Sequence, residues 1–201
     1  MVKSFTRAAL SACLIVSGFS VPALAQKQTQ PVECTLNGLT PDVRRDLGPI
    51  LLGIGQDGFM GAAALTVQSS VKAVATGCAQ KGGWTPRQMK ASILYAVVTS
   101  AYESTVKLAK GAGIPDGLAE QIYAKLSEAD KLDLAQGKIT APIVNVMIAT
   151  MGEFGIKSPD QLAPGAAKKL GNVIGALIIR DWGAKAFADP SYTNTVLAEM
   201  L

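Results

Sequence analysis

The chain is punctuated for helices. Thr40-Pro41, Thr85-Pro86, Ser158-Pro159 and Asp189-Pro190 each place a capping side chain ahead of a proline. At the first helical position, proline's fixed φ is already correct and its missing N–H is not needed. Stops follow at Gly82-Gly83, Gly111-Ala112-Gly113, Gly137 and Gly155, because glycine readily takes the left-handed conformation that ends a helix. Between these marks the spacing predicts helices over 41–54, 57–80, 86–110, 116–136, 140–154, 160–188 and 190–200. No run of alternating β-branched residues competes, so a sheet is not expected. The expected fold is all-α, a compact array or bundle of six to seven short helices with one intrachain disulfide.

Periodicity ranks these helices by burial. In 86–110, Met89, Ile93, Ala96 and Val97 make one stripe, and Leu94, Val98, Ala101, Tyr102, Thr105 and Leu108 make a second. A helix apolar on two sides belongs in the middle of a fold. In 116–136 a single stripe of Leu118, Ile122, Leu126 and Ala129 leaves Glu120, Lys125 and Glu128 pointing away, which suits a surface helix. The 160–188 segment carries a broad face of Leu170, Val173, Ile174, Leu177, Ile178 and Trp182.

The N-terminus reads as an export leader. Lys3 and Arg7 precede an apolar stretch from Ala8 to Val21, and Pro22-Ala23-Leu24-Ala25 ends it with small residues. This is the order of a cleavable secretory signal over 1–25, with cleavage between Ala25 and Gln26. The stretch falls short of the about 20 apolar residues that span a bilayer, so no transmembrane segment is expected once it is removed. Leu10-Ser11-Ala12-Cys13 resembles a lipidation signal, but its apolar lead-in is short. Residues 26–39 are then expected as an extended N-terminal segment and 40–201 as one helical domain. A periplasmic or secreted location follows from the leader.

Export gives the cysteines a meaning. Outside the leader only Cys34 and Cys78 remain, and two cysteines in an oxidising compartment read as one disulfide. Histidine is absent from the chain. That excludes Ser-His-Asp and Cys-His catalysis, and metal sites that need imidazole. No cofactor or metal is expected. The formal net charge is +4, of which two units leave with Lys3 and Arg7. The remaining basic residues are scattered, so no nucleic-acid partner is indicated.

Gly53-Ile54-Gly55-Gln56-Asp57-Gly58 spells a dinucleotide fingerprint, but no strand–helix–strand context follows, and a glycine-rich helix break explains it better. Gly171 and Gly175 suit close helix packing. Glu103-Ser104 inside an apolar helix resembles the catalytic glutamate of lytic transglycosylases, which implies a carboxylate-dependent envelope hydrolase. The glycine- and glutamine-containing stretch of that family is missing downstream, where Gly111 to Gly117 reads Gly-Ala-Gly-Ile-Pro-Asp-Gly. Asp181 and Lys185 are spaced for a helical ion pair. The stripe Val144, Met147, Ile148, Met151 and Phe154 suits a core face. Methionines also serve adaptable binding surfaces, so Met147, Met151, Phe154 and Trp182 form the candidate contact or ligand face.

The function expected from these residues is that of an exported, non-enzymatic helical interaction protein of the periplasm or cell envelope. Its partner would be an envelope protein. The alternatives are a small apolar-ligand or lipid-binding module, and a hydrolase using Glu103.

Overall fold

The computed structural model describes residues 30–51, 62–158 and 161–201. The segment expected to be a leader, the expected Ala25/Gln26 cleavage site, Cys13 and the glycine run 53–58 lie outside the described residues. Among the described residues the fold is all-helical. In chain order the helices are α1 Cys34–Gly38, α2 Pro41–Leu51, α3 Ala62–Gly82, α4 Pro86–Lys110, α5 Leu118–Lys125, α6 Glu128–Ala135, α7 Ala141–Glu153, α8 Ala166–Ala188 and α9 Thr195–Met200. That is nine helices among the described residues where six to seven were expected, and α4 and α8 are long rather than short.

The differences have local causes. The helix expected over 116–136 is two. Ser127 and Asp130 form a reciprocal capping box, with the Asp130 N–H on the Ser127 hydroxyl at 3.1 Å. Leu126 is extended at ψ 135°, so α5 must end before α6 begins. The 160–188 helix starts later, at Ala166, because Gly165 sits in the left-handed region at φ 78°. Asp189-Pro190 is a turn rather than a helix start: the Asp189 carboxylate accepts the Ser191 N–H at 2.9 Å. The true cap of α9 is Asn194, whose side chain accepts the Leu197 N–H at 2.8 Å. Within the segment expected to be extended, Cys34–Gly38 is helical.

Helix α4 is the centre. Its fully buried residues are small: Ala91, Ser92, Ala96, Ser100, Thr105 and Ala109 among them. Buried hydroxyls would be costly unless bonded. Thr99 and Ser100 donate to the Tyr95 and Ala96 carbonyls at 2.7 and 2.9 Å, and Thr105 donates to the Ala101 carbonyl. With these three hydroxyls satisfied inside their own turns, α4 can be approached closely from both sides.

Two apolar clusters use the two sides. Leu36, Leu39, Leu47, Val67 and Val71 pack with Ala96, joining α1, α2 and α3 to α4. The larger cluster surrounds α8, where Leu170, Ile174, Ile178 and Trp182 meet Ile122, Ile143 and Leu197 from α5, α7 and α9. At Gly48 a Cβ would stand 2.4 Å from the Ser104 Cβ, so α2 can lie against α4 only because that position has no side chain.

The N-terminal segment is fastened to this frame at several points. Ser92 donates to the Val32 carbonyl at 2.9 Å, so the Thr35 hydroxyl is the donor in its 2.6 Å bond to Ser92. Arg44 donates twice to the Leu36 carbonyl, at 3.0 and 2.6 Å. The Trp84 indole donates to the Gln30 carbonyl at 3.2 Å, and its ring meets Phe187 edge-on at 4.8 Å. Cys34 and Cys78 form the disulfide, joining α1 to α3 with Cα atoms 6.1 Å apart.

The disulfide spans a sequence separation of 44, for which loop-closure entropy gives about 4 kcal/mol at most. The double variant Cys34→Ser/Cys78→Ser should lose stability up to that amount in denaturant titration and keep its helical circular dichroism. Stability equal to that of the oxidised parent would show that the other fastenings of α1 suffice.

Candidate functional site

Two concavities stand out among the described residues. The larger is a groove of about 410 Å³ between α7 and α8. Val144, Met147, Ile148 and Met151 line it from α7, and Ala167, Lys168, Leu170, Gly171 and Ile174 from α8. Leu134 and Ile139 close one part of it and Leu162 another. The groove exists because α7 packs on α5 and stands off from α8. Its walls are almost wholly apolar and reach the surface: Ile139 is 71%, Ile148 50% and Val144 37% exposed. Exposed aliphatic groups gathered around one hollow mark a binding surface more often than scattered ones do.

The smaller concavity, about 190 Å³, lies between the C-terminal end of α4 and α5. Val106, Ile114, Pro115 and Val173 line it together with Lys110, Asp116 and Glu120. Lys110 and Asp116 are already paired there at 2.9 Å.

The expected contact face divides. Met147 and Met151 line the groove, as do their stripe neighbours Val144 and Ile148. Phe154 is half-buried and packs onto the core. Trp182 is 1% exposed, deep in the core and away from the groove. The α8 wall and Ile139 were not expected. Ile139 stands in the loop before α7, where no periodicity could flag it. Gly171 and Gly175 do not mediate close packing, since a Cβ at either would meet nothing within 4 Å. Gly183 takes that role, with a Cβ position 3.4 Å from the Ala91 carbonyl and the Tyr95 nitrogen of α4.

Glu103 is exposed and lines neither concavity. Among the described residues no group of acidic and cysteine side chains is arranged to hold a metal ion, and no helix is long and apolar enough to cross a membrane.

The ionisable side chains gather where α8 meets α4, α5 and α6. Lys185 bridges Asp181 at 2.8 Å and Glu128 at 3.5 Å, and Glu128 also holds Lys131 at 2.9 Å. Lys131 lies over the Tyr123 ring at 4.3 Å, and Arg180 over Tyr102 at 5.0 Å. The hydrogen bond from Lys131 keeps the Glu128 carboxyl below the usual range. The hydrogen bond to Asp181 keeps Lys185 above it. Every cation in this belt has a partner, and it behaves as a seam between helices.

Two phenols in the seam are hard to ionise. Burial raises Tyr102 from the ordinary 10.0 to about 12, and its hydrogen bond to Glu120 adds to this. Burial raises Tyr123 to about 12 as well, helped by the Asp181 carboxylate. Each folded-state value is raised, so the stabilising effect is complete below pH 10.0 and lost as pH climbs through about 12. Ultraviolet titration of the four tyrosines should show Tyr102 and Tyr123 as late phenols, with Tyr192 also raised by burial, and Tyr102→Phe and Tyr123→Phe should each remove one. Titration of all four near the ordinary value would contradict the seam as described. No protein-family model, curated protein or solved structure matches this chain.

Proposed function

We propose that this chain is an exported, non-enzymatic binding protein of the periplasm or cell envelope, and that it takes an apolar ligand into the α7–α8 groove. The groove itself carries the reading: about 410 Å³ of space lies within the roughly 300–1,000 Å³ of small-molecule sites. Apart from Lys168 its lining is aliphatic and thioether. Flexible methionines at Met147 and Met151 let such a wall adapt to its occupant. The leader and the disulfide support work outside the cytoplasm. A protein partner offering the apolar side of a helix is the second reading, favoured by Ile139 and Ile148 standing exposed on the groove's rim.

The test uses a neutral, polarity-sensitive dye such as Nile red. The protein should bind it saturably with blue-shifted emission. Ile148→Asp, at a half-exposed position, should weaken binding at least about tenfold, because the carboxylate must be desolvated against an apolar ligand. Its thermal midpoint should change little. Absence of saturable binding, or full binding by Ile148→Asp, would remove the groove as the site.

A further inference from the structure

The groove also says what kind of apolar molecule it suits; this rests on the binding reading above. At about 30 Å³ per water-sized group, 410 Å³ is space for about fourteen methylenes, enough for one medium-length alkyl chain. From Val144 to Met151 the α7 wall runs for two turns, about 10 Å at a 1.5 Å rise per residue. Along that length nothing offers a hydrogen bond from a side chain. The polar end of a ligand must therefore sit at the groove's edge.

One ionisable side chain lines the groove among the described residues, and it is Lys168. It is exposed, in the first turn of α8, and that turn carries no acidic residue. Like Lys72, Lys81, Lys107, Lys157 and Lys169, Lys168 has no carboxylate within 4.0 Å among the described residues; it differs from them in lining the groove. An unpaired ammonium beside an apolar trough with no acid in its lining is complementary to an anion that trails a hydrocarbon. We infer that the ligand is a single-chain amphiphile with an anionic head, its chain along α7 and its carboxylate or phosphate at Lys168.

Dye displacement with four probes of equal chain length tests this: decanoate, decyl phosphate, decanol and decyltrimethylammonium, each below its micelle concentration. Decanoate or decyl phosphate should displace Nile red at concentrations about fivefold lower than decanol, the scale of one exposed ion pair. The stronger of the two identifies the head group. Decyltrimethylammonium should be the weakest. Lys168→Met should erase the anion's advantage and Lys168→Glu should turn it toward the cation. Added salt should shrink it in the parent. Lys168 contacts no partner whose loss would unfold the chain, and unchanged thermal midpoints would verify this. Equal displacement by decanoate and decanol, or an anion preference that survives Lys168→Met, would overturn the anionic head and leave the groove reading standing. Displacement by an amphipathic peptide and by none of the four amphiphiles would overturn the single-chain ligand. Failure of the dye to bind at all would fall on the groove reading itself.

Discussion

The structure depends on how closely α8 lies against α4. At Gly183 no side chain separates the two backbones, and a Cβ there would reach within 3.5 Å of the Tyr95 Cα. Helices this near each other need small residues on the facing surface. On α4 the residue at the Gly183 contact is Ala91, while Ser92 and Ala96 face the α1–α3 layer, and the hydroxyls of Thr99, Ser100 and Thr105 turn back onto the helix's own carbonyls. Both apolar clusters include residues of α4. One builds the α1–α3 layer on it, and the other wraps α5, α7 and α9 around α8. Loosening the α4–α8 contact would separate the two halves of the core.

The groove is the other consequence of that seat. Helix α8 commits one side to α4 through Gly183 and buries Leu170, Ile174 and Ile178 in the larger cluster. Near its start it leaves Gly171 with open space where a side chain would be. Helix α7 is held by α5 and by Ile143, which is fully buried. It leans away from α8 and its outer stripe remains uncovered. An alanine at Gly171 would favour the helix by about 1 kcal/mol and meet nothing. The sequence therefore carries a less stable residue on a groove wall than the fold requires.

Much of the helical frame is legible in the residues, and the reasons for the rest are physical. Thr85-Pro86 marks α4 because cap, proline and stripe agree there; α7 follows its apolar stripe, since the Thr140 side chain makes no capping bond. The break at Leu126 was missed because the stripe Leu118, Ile122, Leu126, Ala129 runs through it unbroken. Only the Ser127–Asp130 box announces it. The centrality of α4 was read from its large residues, whereas Ala and Ser make the close contacts, and small residues leave little periodic signal. Met147 and Met151, whose stripe suits a core face or a contact face, line the groove. Phe154 shares their stripe, but it lies beyond the end of α7, so its side chain leaves their line. The opposite wall depends on how far α7 stands off from α8, a tertiary quantity that no local pattern encodes.

The account is tested most directly by placing leucine at two glycines of the same helix and measuring stability and dye uptake together. Gly183→Leu should overpack the α4 contact and cost about 1–3 kcal/mol or more. Gly171→Leu should keep or raise stability by up to about 1 kcal/mol, yet block the groove and abolish Nile red binding. If Gly171→Leu destabilised the fold as much as Gly183→Leu, or left dye binding intact, α8 would not have one seated side and one open side, and the groove would lose its standing as a site.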